Sequence, residues 1–288
     1  MVMAKPFLTL QQQLDLLLER GLVVADKDLA IGYLRRNNYY RFSGYAREFQ
    51  RDPRNQQNQF IPDTSFDLIV SLMDADRKLR RYLLQALEPI EIASRSAFAY
   101  SAGRIFGSEA FYLDRVNYLE ITPGLDALLE KIRAQLRRSG QPSVERYRNG
   151  NDLSQVPIWV AIEAISFGTF AKLSQYLADG TAIKETADHL SIQHTGFSDA
   201  LHAFSNLRNR CAHHGQLWNR SFDIAFKVLP KERRDAPEFK HPGSYGGIIV
   251  INRWLKRIDP QSTWFESVSD FLKEHPVYAD GILNPRMK

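Results

Sequence analysis

The chain has 288 residues, 44% of them hydrophobic, with 38 Lys and Arg against 33 Asp and Glu and a formal net charge of +5. That apolar content suffices for a buried core and excludes a disordered chain, and the mild basic excess favours anionic partners only where it is gathered into a local patch. A single cysteine, Cys211, excludes an internal disulfide and a multi-cysteine zinc site.

Thr9 followed by Gln12 has the spacing of a capping box. Leu10, Leu14, Leu17 and Leu18 then recur at helical spacing up to Gly21, which predicts a first helix. Met1–Arg20 is interrupted by Gln, Asp and Glu and lacks the charged, apolar and small-residue order of a secretory leader, so a cytoplasmic protein is expected. A second short helix is predicted over Asp28–Arg36, leading into the aromatic run Tyr39, Tyr40, Arg41, Phe42, Ser43, Gly44 and Tyr45. These rings could stack bases, interleaved as they are with Arg41 and Arg47, but core filling is the favoured reading. Arg51–Asp63 is polar and bracketed by Pro53 and Pro62, and reads as an exposed loop.

From Thr64 to about Arg104, Leu68, Leu72, Leu79, Leu83, Leu87, Ile90 and Phe98 line one side of a long helix carrying Pro89. Glu88 and Glu91 on this helix read as ion-pair partners of Arg95, with the orientation of a functional arginine as the lesser alternative. Further helices are predicted over Gly124–Arg138, Pro157–Ala178, Phe197–His214, Gly247–Arg257 and Thr263–Glu274, with a basic loop at Ser139–Gly150. Leu153–Ala171 contains Pro157 and Glu163 and falls short of a membrane span, so no membrane association is expected. Arg133, Arg137, Arg138, Arg146 and Arg148 form the densest basic stretch, equally suited to a solvated face or to nucleic-acid phosphates. Strand alternation is scarce and no repeat period is present. The expected class is all-α, with an N-terminal helical lobe over 1–52, a helical core over 64–222 and a C-terminal helical extension over 223–288, or a single continuous domain.

The segment Phe197–His214 carries the chemistry. At about 100° per residue, Phe197, Ala200, Leu201, Phe204, Leu207 and Cys211 share one arc, whereas His202, Asn206, Asn209 and His213 share another. Arg208 projects into the apolar arc, where an unpaired guanidinium is expensive, so it must reach a partner or an interface. An imidazole exchanges protons near neutrality, and a guanidinium presents a planar fork of donors to a charged phosphate. His213 thus reads as acid or base, Arg208 as the stabiliser of developing charge, and Asn209 as the group that orients the imidazole or binds phosphate. His214, His202, Asn206, Arg210, Arg146 and Arg148 are secondary candidates for RNA contact. A metal site built from His202, Cys211, His213 and His214 lacks a usual ligand spacing, and neither a metal nor any other cofactor is expected. Ser43 and Ser166 lack the setting of a nucleophile, and there is no phosphate-binding glycine loop.

Arg208 and His213, with Asn209 after the arginine, match the R-x-x-x-x-H signature of the HEPN superfamily. The longer run LRNRCAHHGQLWNR resembles the Abi-like (abortive infection D/F) family, as do YYRFSGY, LEPIEIASR and VPIWVAIEAISFGTFAKL. In order, these segments cover roughly Pro6–Arg220. The resemblance implies a helical HEPN core and metal-independent RNA cleavage that leaves a cyclic phosphate. It also implies a role in phage defence or toxin–antitoxin growth arrest, and an antitoxin of protein or RNA as partner. Family sites are commonly composite, and Arg95–Tyr100 has the motif spacing but ends on tyrosine, so homodimerisation is the expected way to pair two motifs. The alternatives are a non-catalytic RNA-binding or regulatory module that holds a small RNA, and a protein-docking surface around Arg208.

Overall fold

The computed structural model describes residues 6–120 and 123–286, so the first five residues of the segment read as a non-leader lie outside the described residues. The chain is all-α, with fourteen α-helices and a single two-stranded sheet among the described residues. It divides into two compact units, one of residues 1–79 with 275–279 and one of residues 80–274 with 280–288.

The first unit holds α1 (Leu10–Glu19), α2 (Lys27–Asn37), α3 (Tyr39–Ala46), strands β1 (Gln50–Asp52) and β2 (Gln57–Phe60), and the start of α4 (Phe66–Phe106). The capping box is formed: Gln12 N–H donates to Thr9 Oγ1 at 3.3 Å, and Thr9 N–H to Gln12 Oε1 at 2.9 Å. Two of the N–H groups that a helix start leaves without intrahelical partners are thereby satisfied. Phe42 and Tyr45 are buried, and the Phe42 ring stacks on Phe66 at 4.6 Å, so these aromatics fill the core, whereas Tyr40 faces solvent. Asp76, fully buried, accepts hydrogen bonds from Tyr45 at 2.6 Å and Tyr278 at 2.8 Å, which fastens residues 275–279 into this unit.

The segment Arg51–Asp63 is largely exposed, as expected, but forms a short antiparallel hairpin rather than a loop, pairing Gln50 with Phe60 and Asp52 with Gln57. Its turn is organised by Asp52, whose carboxylate accepts from Asn55 N–H at 3.3 Å, and by Gln56 in the left-handed region. Turn chemistry rather than apolar alternation builds it, which is why the polar sequence concealed it.

The second unit takes the rest of α4 and α5 (Leu125–Arg138), α6 (Pro142–Tyr147), α7 (Ile158–Ala164), α8 (Phe167–Tyr176), α9 (Thr181–His189), α10 (Phe197–Ala212), α11 (Pro230–Asp235), α12 (Ser244–Ile258) and α13 (Trp264–Glu274). The last helix, α14 (Pro276–Leu283), crosses from the first unit's residues to the second's. At the centre of this unit lie Phe98, Phe170, Leu201, Phe204, Ile248 and Trp254, all buried. Trp254 stacks on Phe197 at 4.8 Å and meets Phe204 edge-on at 5.0 Å. A Cβ at Gly247 would stand 2.9 Å from the Phe226 ring and 3.2 Å from Leu207, so α12 approaches α10 as closely as glycine alone permits. Phe226, Gly247 and Trp254 thus pack in the same core as α10.

Two expected elements differ in detail. The single helix over Pro157–Ala178 is two helices broken at Ile165–Ser166, because Ser166 starts α8 afresh by accepting from Thr169 N–H at 3.3 Å. The basic loop at Ser139–Gly150 contains α6, entered at Pro142, whose fixed φ suits a first helical position. No helix among the described residues is long and apolar enough to cross a membrane.

Candidate active site

Helix α10 packs its apolar arc as the sequence projection requires: Phe197, Leu201, Phe204, Leu207 and Cys211 are buried, and Asn206, Asn209 and His213 are exposed. Arg208 keeps its azimuth toward the packed side, yet its side chain is 43% exposed. It faces an open groove of about 830 Å³ flanked by Glu88, Glu91, Gln135, Glu163 and Ser166. Its partner is Glu91 of α4, with Nε 3.7 Å from Oε2. One terminal nitrogen also lies 3.4 Å from the Asn209 side-chain oxygen, so the guanidinium leans toward the polar face.

Glu91 is itself fixed. Its Oε1 accepts from Arg95 Nε at 3.1 Å and from Arg95 Nη2 at 2.6 Å. Arg95, 8% exposed, sends its remaining terminal nitrogen to the Ile162 and Ile165 carbonyls where α7 ends. These carbonyls belong to the group of acceptors that a helix leaves unmet at its C-terminus. A break between two helices, a buried arginine and a glutamate together form the wall on which Arg208 rests. The Glu91–Arg95 pair is the ion pair that its spacing of four residues predicts. Gln135, which accepts from Ser166 N–H at 3.1 Å, and Glu163 belong to the same groove and carried no signal in the sequence.

At the other end of the motif, α10 closes in a Schellman turn. Gly215 N–H donates to Arg210 O at 2.7 Å and His214 N–H to Cys211 O at 3.1 Å, with His214 in the left-handed region at φ +59°. A Cβ at Gly215 would stand 2.8 Å from Arg210 Cγ, so the turn needs glycine there. Arg80, buried on α4, donates to the Gly215 carbonyl at 3.3 Å and holds the turn in place. The result is two histidines, His213 as the C-cap and His214 one residue beyond, both exposed. Five residues at about 100° each put Arg208 and His213 roughly 140° apart around the axis, so they leave the helix on different sides.

The secondary candidates are dispersed. Asn206 is exposed and donates to the His202 carbonyl at 2.8 Å. His202 faces a different cavity, where burial first and nearby Lys172 second lower its pKa below the usual histidine value. Arg210 lies over the Phe222 ring at 4.4 Å. Arg148 donates to the Leu136 carbonyl at 3.2 Å and to the Arg137 carbonyl, closing the end of α5, whereas Arg146 projects from α6 into solvent. Neither lines the groove beside Arg208. Among the described residues no group of three His, Cys, Asp or Glu side chains is placed to hold a metal ion.

The sequence pattern of a family described as "Abi-like protein" matches residues 32–219, a span containing Glu91, Arg95, Arg208, Asn209 and His213. No curated protein and no solved structure matched the chain.

Proposed function

The chain belongs to the Abi-like protein family, which implies an abortive-infection-related function, and on that premise we propose that it is a metal-independent endoribonuclease of the HEPN kind. It acts in the cytoplasm as a homodimer, and a protein or RNA antitoxin restrains it. The observation that carries this reading is Arg208: a guanidinium supported by Glu91 yet 43% exposed to an open groove, on the helix whose end presents His213 to solvent.

In the proposed reaction, the imidazole of His213 takes the proton of a ribose 2′-hydroxyl. The 2′-oxygen then bonds to the adjacent phosphorus, the bond from phosphorus to the 5′-oxygen breaks, and the leaving oxygen takes a proton from the imidazole of a second copy. One strand ends in a 2′,3′-cyclic phosphate and the other in a free 5′-hydroxyl. Arg208 stabilises the charge that gathers on the phosphate oxygens, where a planar fork of donors is worth most. Because Arg208 and His213 leave α10 on different sides, a twofold pairing that brings two motifs together supplies donors and imidazoles on both sides of one phosphate.

The test is cleavage of mixed cellular RNA in the presence of a chelator, with the ends mapped. Wild type is expected to cut and to leave cyclic phosphate ends, and Arg208→Ala and His213→Ala each to lower the rate about 10²-fold or more. Undiminished cutting by both variants removes these residues from the mechanism. Salt-sensitive RNA binding with the RNA left intact favours the regulatory reading instead.

A further inference from the structure

The aromatic run Tyr39–Tyr45 and the polar hairpin after it belong to the first unit, which holds neither Arg208 nor His213, and the proposed reaction makes no use of them. Helices α2 and α3 are joined by one residue, Asn38, at φ +62° and ψ 136°, a backbone region that residues with a side chain rarely occupy. The Asn38 side-chain oxygen accepts from Tyr40 N–H at 2.9 Å and caps α3. One face of α3 is fixed to the core: Phe42 stacks on Phe66 at 4.6 Å, and Tyr45 donates to Asp76 at 2.6 Å. The opposite face carries Tyr40, Ser43 and Arg47, spaced i, i+3 and i+7, with Tyr40 70% exposed. Arg47 donates to the Pro53 carbonyl at 3.2 Å, which ties the end of α3 to the β1–β2 hairpin, so helix and hairpin present one surface.

That surface is cationic. Arg35, Arg36, Arg41, Arg47, Arg51 and Arg54 fall within a stretch whose only carboxylates are Glu48 and Asp52, a local surplus of four charges against +5 for the whole chain. All but the half-buried Arg41 are exposed. Apart from Arg47, their guanidinium groups make no hydrogen bond or ion pair among the described residues. The Asp52 carboxylate is occupied by Asn55, whose side chain donates at 2.7 Å and whose N–H donates at 3.3 Å. Arginines gathered in this way and left unpaired repel one another, and a polyanion relieves them.

The shape of the surface selects the polyanion. A helix of eight residues is about 12 Å long and, with its side chains, about 10–12 Å across, which matches the major groove of B-form DNA at roughly 12 Å. The deep, narrow major groove of duplex RNA does not admit it. A helix-turn-helix presents its recognition helix in the same manner, one face held by the core and the other bare; here the turn is cut to one residue. We propose that the first unit binds duplex DNA, with Tyr40 and Ser43 of α3 in the major groove and Arg35, Arg36, Arg51 and Arg54 on neighbouring phosphates. The two hydroxyls meet base edges and the arginines meet the backbone, so charge supplies the affinity and the helix face supplies any choice of sequence. The inference is independent of the nuclease reading, because the unit that carries it contains none of the proposed catalytic residues.

Fluorescence anisotropy of the full chain with a labelled DNA duplex of about 20 base pairs, roughly two helical turns, tests it against the single DNA strand and an RNA duplex of the same sequence. The RNA probe is titrated with the His213→Ala chain, so that cleavage does not obscure binding. The DNA duplex is expected to bind with a Kd of about 10⁻⁴ M or tighter at physiological salt, and at least tenfold tighter than either other probe. The logarithm of its Kd should rise with the logarithm of salt concentration at a slope of roughly 3–5, since each phosphate contact contributes about 0.9. Arg51→Glu with Arg54→Glu, both at exposed positions, is expected to weaken binding at least tenfold and to lower that slope by about 2, with the circular dichroism retained. Lys231→Glu with Arg234→Glu makes the same change of net charge at exposed positions of the second unit and should leave binding unchanged. Tyr40→Ala should narrow the preference for the duplex over the single strand. The proposal is overturned if the DNA duplex does not bind, if the single strand or the RNA duplex binds as tightly, or if the two charge-reversal pairs weaken binding equally.

Discussion

Arg95 and Arg208 share one carboxylate and differ in everything else. Both meet Glu91, and both stand five residues before a ring that could carry a proton: Tyr100 in one case, His213 in the other. Arg95 is 8% exposed and spends its donors on Glu91 and on two carbonyls at the end of α7. Arg208 is 43% exposed, and its two contacts lie at 3.4 and 3.7 Å. The same residue type at the same spacing is structural where its donors are consumed and available where they are not. Counting satisfied donors separates the two; reading the motif does not.

Separating the two arginines by substitution is the sharpest way to break this contrast. Arg95→Ala strands a mostly buried glutamate and two carbonyls, and is expected to lower unfolding stability by about 3–5 kcal/mol in urea titration. Arg208→Ala should cost less than about 1 kcal/mol, because an exposed and loosely held pair is screened by solvent. Its loss should appear in the cleavage rate instead, at about 10²-fold or more, equivalent to roughly 2.7 kcal/mol of barrier. Comparable destabilisation by both variants would mean that Arg208 is as structural as Arg95.

Replacing the buried pair together sharpens the same point. Arg95→Met with Glu91→Leu should recover most of the stability lost by Arg95→Ala, since a buried ion pair exchanged for apolar side chains of similar volume is often neutral. Adding Arg95→Met and Glu91→Leu as single variants closes the cycle, which should give a coupling of about 0.5–3 kcal/mol for residues in direct contact. The double variant removes the support of Arg208, so the proposed reading expects its cleavage to stay low even where its stability is restored. Full recovery of both would leave Glu91 without a part in holding Arg208.

How much of this was visible in the sequence depends on whether the signal was local. The capping box at Thr9, the Glu91–Arg95 spacing and the apolar arc of α10 are all interactions between residues three or four apart, and each stands as read. The groove was invisible because its walls come from α4, α5, α7, α8 and α10, and no periodicity links Gln135 or Glu163 to Arg208. Projection onto an ideal helix set Arg208 within the apolar arc and was right about direction. It could not say that the neighbouring helices stop short of filling that side. His202 met the opposite fate: it shares an arc with Asn206, Asn209 and His213, but the packing of α12 and the residue 224–229 segment encloses it in another cavity.

The smallest expected effect bears on the paired histidines. His214 occupies the left-handed C′ position of the Schellman turn, where glycine is the usual residue and a side chain carries strain of about 1 kcal/mol. His214→Gly should therefore raise stability, by roughly 0.5–1 kcal/mol after the greater backbone freedom of glycine in the unfolded chain is set against it. His213, as the C-cap with φ −88°, is not strained, and His213→Ala should leave stability nearly unchanged while reducing cleavage. If His214→Gly stabilises the protein and preserves cleavage, the imidazole at position 213 acts alone. If it stabilises the protein but abolishes cleavage, the strain at 214 is retained for function, and the roles of the two adjacent histidines must be exchanged or shared.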